Sequence, residues 1–556
     1  MSAPNPTPLK LSYSTPMSTT PIRNNQASYD AIPSDPEGQQ IPNGHRKASK
    51  RTKIVLSTAL GVIAVAAITV ASVYYWTAPA AHPRNVIMMV SDGFGPASET
   101  FARQYHAWDN DLDYKSILPL DSIHVGQSRT QSSSSLVTDS AAGATAFSCG
   151  LKSYNGAIGV DPEENPCGTV LESAKIHQNM LTGLVVTSRV THATPAAFSA
   201  HVAWRDWEND IALQQIGENP LGRTVDLMFG GGRCQFLTNQ SEGGCRLDTR
   251  DLLTEAKTTY GWKTVLDTRQ AFDALTDESE LPLMGLYTPS HMSYNIDRDP
   301  AIEPSLAEMS SKALGILSKA SKNQGTGFFL LIEGSRIDMA AHTNDPAAHL
   351  QEILAYQDTI QVVKDFVDAN PGTVVVSTSD HETGGFTLGR QTTPDYPEYK
   401  WEPAVIKRVK RSAELLARQL MAQKSFKPDY VKDYIIKDSL GITDATHDEI
   451  AYLEKWQENN LTSSNIEEHL SNMVSVRALI GWTTHGHTAV DVNLYAYGPE
   501  SDKLRGTHEN TDIGDFISGY LGLDLAAITD ELKRKMSSIA SISMKPNIEE
   551  RYGHSM

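Results

Sequence analysis

The sequence predicts an α/β fold: a central, mostly parallel sheet flanked by helices on both faces, with an inserted cap region and an N-terminal transmembrane helix. Three observations predict it. Short runs are almost continuously apolar, as strands buried on both faces are. Amphipathic stretches of helical length separate them. An uncharged segment long enough to cross a bilayer stands ahead of the first run.

In chain order, residues 1–53 come first. Their opening 45 residues are rich in Pro, Ser, Thr and Asn, and nearly lack periodic apolar positions, so they read as a disordered tail. Ile54 to Trp76 is free of charge and, at ~1.5 Å per residue, spans the ~30 Å hydrocarbon core. Arg46, Lys47, Lys50, Arg51 and Lys53 precede it, and Tyr74, Tyr75 and Trp76 close it like an interfacial belt. The positive-inside rule then puts the tail in the cytosol and the bulk of the chain in a lumen or outside, a single-pass type II arrangement.

Residues 77–530 are expected to form the main folded domain. Its strand candidates are Asn85–Ser91, Gly183–Val190, Val225–Gly230, Gly327–Ile332, Thr373–Ser379 and Val490–Gly498. Helical patterns include Ser305–Ser321, Leu350–Ala369 and Ala413–Ala422. Residues 386–484 break the rhythm, with Pro and Tyr clusters, and read as an inserted cap or crown. Residues 531–556 read as a flexible tail, open to processing.

Charge narrows the partners. Residues 1–53 hold seven Lys/Arg and three Asp/Glu, or +4, which leaves −22 on the remainder of a chain whose formal net charge is −18. Nucleic acid recruits basic surfaces, so it is not an expected partner. Four cysteines, Cys149, Cys167, Cys234 and Cys245, suit an oxidising lumen. Three connectivities are open to them, and pairing in sequence order would close two short loops. Asn239 and Asn460 head glycosylation sequons usable on that side.

Residues able to bind metal gather just after the strand candidates, where ligands bind in open α/β sheets. Asp92 follows the first run, His192 and Thr194 the second, Glu333 the fourth, and Asp380 with His381 the fifth. In EGSRIDMAAH, Asp338 and His342 are four apart and share a helix face. HGHTAVD offers His485 and His487, of which His487 is taken as the ligand and His485 as its neighbour. His with carboxylates is zinc chemistry. In VTDSAAGATA, Ser140 opens a helix made of small residues, where backbone N–H groups favour a phosphate. Arg205 closes HATPAAFSAHVAWR with a planar fork suited to two phosphate oxygens.

Together VTDSAAGATA, HATPAAFSAH, EGSRID, SDHETGG and HGHTAVDVNLYAYGP, in this order, resemble the alkaline phosphatase family from about Asn85 to Leu523. DLMFGGGR and YNIDRD also look like family segments. The N-terminal anchor makes the chain look most like the fungal vacuolar members. The resemblance implies hydrolysis of phosphate monoesters, with broad specificity, through a phosphoserine at Ser140. It implies two Zn²⁺ and one Mg²⁺ per subunit. Asp338, His342 and His487 would hold the first zinc, and Asp92, Asp380 and His381 the second beside Ser140. Asp92, Thr194 and Glu333 would hold magnesium, and Arg205 would bind phosphate. It also implies a homodimer at the vacuolar membrane, acting on small esters, phosphopeptides or polyphosphate. His192 stands where bacterial members carry Asp, which bears on the third metal. Met339 replaces a Lys or His of relatives, which removes an indirect phosphate contact. A phosphodiesterase of the same superfamily is the rival enzyme, against which Thr194, Glu333 and Arg205 count.

Overall fold

A computed structural model describes residues 83–423 and 429–540. The tail, the apolar segment 54–76 and residues 541–556 lie outside the described residues. Among those described, no helix is long and apolar enough to cross a membrane.

Ten strands make the main sheet: β1 (Asn85–Val90), β2 (His124–Arg129), β3 (Leu181–Arg189), β4 (Leu227–Gly231), β5 (Thr264–Leu266), β6 (Leu283–Leu286), β7 (Phe328–Glu333), β8 (Thr373–Thr378), β13 (Val492–Tyr497) and β14 (Gly506–Glu509). Two-residue strands, β9 (Glu382–Thr383), β10 (Thr387–Leu388), β11 (Ile480–Gly481) and β12 (His487–Thr488), form two small ribbons beside it. The order is β14-β2-β13-β8-β1-β7-β3-β4-β6-β5, and β13 alone runs against its neighbours.

Burial explains the central strands. Every residue of β1, β7 and β8 is buried, so NVIMMV, FFLLIE and TVVVST need no alternation. Two apolar cores cover the faces. One takes Ile87, Met89, Leu330 and Val375 with the helices Pro96–Asp109, Leu306–Gln324 and Pro346–Ala369. The other takes Val86, Met88, Leu331 and Val376 with the helices Val170–Gln178 and Asn510–Leu521.

Local chemistry sets the helix ends. Ser305 and Glu308 form a capping box at Leu306–Gln324, and Gly325 ends it in the left-handed region. Asp345 caps Pro346–Ala369 through the amides of Ala347 and Ala348. Between β8 and β13 lies a helical lobe holding Pro403–Lys407, Ala413–Met421, Tyr430–Ser439, His447–Glu454 and Ser463–Ala478. Its apolar residues Ile406, Leu416, Ile435 and Leu470 join the first core.

One boundary differs from expectation. The helix Leu525–Ala540 runs through residue 530, where a flexible tail was expected to begin. Its reason is amphipathicity: Ile528 and Leu532 are buried against Leu221, and Thr529 accepts the amide of Gly168 at 2.8 Å. The cysteines pair in sequence order, Cys149 with Cys167 and Cys234 with Cys245.

Candidate metal centre and nucleophile

The strand ends converge on one pit. Asp92 lies two residues past β1, Glu333 ends β7, and Asp380 with His381 follows β8. Because β1 sits between β7 and β8, parallel pairing alone puts these groups side by side. Asp338 and His342 come from the helix Arg336–His342, and His487 from β12, which pairs with β9. Two glycines permit the approach. A Cβ on Gly93 would lie 2.6 Å from the Asp338 Cα, and one on Gly143 would lie 2.9 Å from the Asp380 Cβ.

Within the pit, Asp338, His381 and His487 present donor atoms within 4.8 Å of one another, as do Asp92, Asp380 and His381. His381 therefore stands between two groups. Its Nε2 is 3.2 Å from Asp380 Oδ2 and 3.6 Å from Asp92 Oδ1. The His381 and His487 rings stack with centroids 3.5 Å apart. His342 Nε2 lies 3.3 Å from Asp338 Oδ2 and 3.2 Å from His487 Nε2.

The outer hydrogen bonds fix which nitrogen faces inward. His342 Nδ1 donates to the His485 carbonyl, and His487 Nδ1 donates to the Thr138 carbonyl at 2.8 Å. The Thr383 hydroxyl donates to Asp338 at 2.5 Å, so its oxygen takes the His381 Nδ1 proton at 3.2 Å. All three rings thus turn Nε2 into the pit, with the outer nitrogen held by an oxygen, as in histidines that bind metal. Two Nε2 atoms 3.2 Å apart need a cation between them, a proton or a metal ion.

Electrostatics point the same way. Burial pushes Asp92 well above the usual carboxylate range, and Asp380, Asp338 and Glu333 add to the effect. Burial lifts Asp380 to about 6 and Glu333 to about 7. Burial acts on Asp338 in the same sense, but His342, His487 and His381 outweigh it and hold Asp338 well below the ordinary value. Asp338 in turn lifts His342 to about 9. Both Asp92 oxygens, Asp380 Oδ2 and Glu333 Oε1 are buried with no hydrogen-bond partner among the described residues. Three buried carboxylates with four orphaned oxygens, beside Asp338 and imidazole nitrogens, fit divalent cations.

Ser140 is the first residue of the helix Ser140–Cys149, which is buried throughout. Asp139 caps it, accepting the Ala142 amide at 3.0 Å, and Gly150 closes it. The helix packs against Ala193–Ser199, where Ser148 donates to the Ala197 carbonyl at 2.7 Å. Ser140 Oγ donates to His381 Nε2 at 3.0 Å. Arg205 donates to Asp139 at 3.0 Å and to His192 Nε2 at 3.2 Å. Beside them Glu333 accepts from Ser188 at 3.2 Å and Ser335 at 2.6 Å, and faces Thr194.

The structure thus brings Asp92, Glu333, Asp338, His342, Asp380, His381, His487 and Ser140 together, with Thr194 beside Glu333 and Arg205 beside Asp139. His192 is placed differently from a ligand: since Arg205 can only donate, His192 Nε2 accepts and the ring proton sits on Nδ1. Its Nδ1 is buried with no hydrogen-bond partner among the described residues. Sequence reasoning missed Thr383, which links Asp338 to His381, and Asp139 as the partner of Arg205. It also missed His291, whose ring stands edge-on to His192 at 5.3 Å and whose Nε2 lies 2.5 Å from Arg189. Thr383 and Asp139 each lie within two residues of a predicted ligand or nucleophile; nothing in the sequence marks His291.

The family model described as Alkaline phosphatase matches residues 83–523. Repressible alkaline phosphatase of Saccharomyces cerevisiae is 46% identical over 518 residues, covering 88% of this chain and 90% of the relative. Alkaline phosphatase of Schizosaccharomyces pombe is 49% identical, covering 81% and 84%. Among solved structures, the cold-active alkaline phosphatase of Shewanella sp. is similar with a TM-score of 0.67 at 32% identity, covering 79% of this chain and 99% of that one. A histidine mutant of the enzyme from the Antarctic bacterium TAB5, described with Mg bound in the M3 site, is similar with a TM-score of 0.55 at 27% identity, covering 80% and 99%.

Proposed function

The chain belongs to the alkaline phosphatase family, and from that premise we propose that it hydrolyses phosphate monoesters through a phosphoserine at Ser140, with two Zn²⁺ and one Mg²⁺ held around that serine. It is a phosphatase hydrolase; the intermediate and the metal count are the proposal.

The observation that carries the reading is Ser140 Oγ set 3.0 Å from His381 Nε2, at a helix N-terminus, beside orphaned Asp92 and Asp380 oxygens. Asp338, His342 and His487 would hold one zinc, and Asp92, Asp380 and His381 the other. Thr194, Glu333 and Asp92 would hold magnesium, and their oxygens suit a hard cation. Bound, these ions lower the pKa of a hydroxyl at the site and offset the charge of a phosphoryl group. Arg205, oriented by Asp139 and His192, grips two phosphoryl oxygens. Ser140 Oγ attacks phosphorus in line, the ester oxygen leaves opposite it, and the phosphoryl group rests on Ser140. Water entering from the side the alcohol left then cleaves the Ser140–phosphorus bond. Because the pit grips phosphate, broad specificity follows, with small esters, phosphopeptides and polyphosphate as candidate substrates.

The setting is proposed as well: a type II protein with its catalytic domain in the lumen of a vacuole, acting as a homodimer. The two disulfides support an oxidising compartment. Asn239 and Asn460 are both exposed, as glycosylation requires. Ser140→Ala tests the chemistry. Turnover of a monoester should be lost, and acid-quenched labelling with a ³²P monoester should vanish, while zinc content stays normal. Retained turnover would refute the assignment.

A further inference from the structure

Three exposed apolar side chains, Trp204, Leu136 and Val490, stand within a few residues of groups that build or support the charged pit. Trp204, next to Arg205, is 46% exposed. Its six-membered ring lies over Gly156, filling the space that a Cβ would take. The Gly156 amide donates to Asp139 at 3.0 Å, and Asp139 is the carboxylate that holds Arg205. One residue and one hydrogen bond therefore separate the indole from the phosphate-binding pair. Asn155 takes the Asp139 amide at 3.3 Å and donates to the Val137 carbonyl at 3.0 Å. Leu136, beside Val137, is 73% exposed. Thr138 then meets His487, three residues ahead of Val490, which is 45% exposed.

The exposed half of the Trp204 indole adds nothing to the apolar core. The indole is fixed at both ends, by Gly156 beneath it and by its own Nε1 donating to Asp206 at 3.0 Å. A rigid, half-bare aromatic surface next to a phosphate anchor is what a planar organic group needs for stacking.

We propose that Trp204, with Leu136 and Val490, forms a leaving-group subsite that favours aryl and nucleoside monophosphates over small polar alkyl esters. The proposal rests on the phosphatase reading and adds the class of ester.

The test compares phenyl phosphate, a nucleoside monophosphate and glycerol phosphate on the metal-loaded enzyme. Trp204→Ala should lower kcat/KM for the first two by ~5–10-fold, the scale of aromatic stacking. It should leave glycerol phosphate and the inhibition constant for inorganic phosphate unchanged, and Trp204→Phe should restore most of the preference. Equal losses for all three esters would show that the ring only props up Arg205 and would overturn the subsite; so would an unchanged preference. Should Trp204→Ala fold poorly, phenylphosphonate and methylphosphonate can be compared as inhibitors of the wild type, where equal affinities would also overturn it. Hydrolysis of none of the esters by the wild type would instead sink the phosphatase reading.

Discussion

Arg205 and Asp139 form a 3.0 Å ion pair, and Asp139 is also the cap of the helix that begins at Ser140. One carboxylate thus sets both the phosphate grip and the nucleophile's helix. Its Oδ1 accepts the Ala142 amide, and its Oδ2 takes both Arg205 and the Gly156 amide.

Asp139→Ala should therefore weaken phosphate binding more than chemistry. Arg205 keeps its charge but loses its fixed direction, so substrate and product lose binding alike. KM and the inhibition constant for phosphate should rise by about tenfold, the scale of one charge-assisted hydrogen bond, while kcat holds. Loss of the cap should cost about 1 kcal/mol of stability. Steady-state kinetics with phosphate inhibition check the first part; an unchanged inhibition constant would show that Asp139 does not orient Arg205.

His192→Asp should strengthen binding of the proposed Mg²⁺. A carboxylate two residues before Thr194 adds an oxygen donor and a negative charge, which favours Mg²⁺. The same carboxylate would pair with Arg205, 3.2 Å from the present imidazole. The variant should regain activity after chelation at a lower Mg²⁺ concentration than the wild type, by about tenfold, the effect of ~1.4 kcal/mol of added attraction. An Mg²⁺ titration of the chelated enzyme, followed by activity and by metal analysis, measures it. Identical titration curves would place position 192 out of reach of that metal.

The central strands were legible because complete burial writes itself as unbroken apolar runs: Asn85–Val90, Phe328–Glu333 and Thr373–Thr378 were all anticipated to within a residue or two. β2 was missed since HVGQSR is polar and half exposed, one strand in from the sheet edge. The three-residue β5 and the four-residue β6 and β14 are too short to show a period. The grouping of Asp92, Glu333, Asp380 and His381 was legible because parallel strands side by side must bring their carboxyl ends together. Thr383 and His291 were not, because each acts on a side chain far away in sequence, Asp338 and Arg189, and only the folded chain brings these together.

The Cys149–Cys167 disulfide ties the last residue of the nucleophile helix to the loop ahead of Val170–Gln178, closing 18 residues. Loop-closure entropy gives about 3 kcal/mol for that length as an upper figure. Cys149→Ala with Cys167→Ala should lower stability by ~2–3 kcal/mol with modest loss of activity at low temperature. Denaturant unfolding of the two proteins decides it. Equal midpoints would mean that the buried packing of this helix already fixes it.

Glu352 should make the fold less stable as pH rises. It lies on the helix Pro346–Ala369, is only 6% exposed, and accepts the Asn295 amide at 2.5 Å. Burial lifts it from the ordinary 4.5 to about 7, and the Asn295 amide, Arg336 and Arg298 offset only part of that. Below pH 4.5 the group is protonated folded or unfolded, so its contribution is then complete. Between 4.5 and 7 the unfolded chain gives up this proton while the folded chain keeps it. The folded state binds more protons, so stability falls with rising pH, and the loss is complete above the folded value. The displacement is worth about 3 kcal/mol. Glu352→Gln keeps an oxygen for the Asn295 amide and removes the titration. Its advantage over the wild type should be near zero at pH 4.5, grow through pH 7 and level off beyond it. Because both proteins carry the same pit, the difference between their urea-unfolding curves isolates this one carboxyl, and a difference that stays flat from pH 4.5 to 8 would show that Glu352 titrates alike in both states.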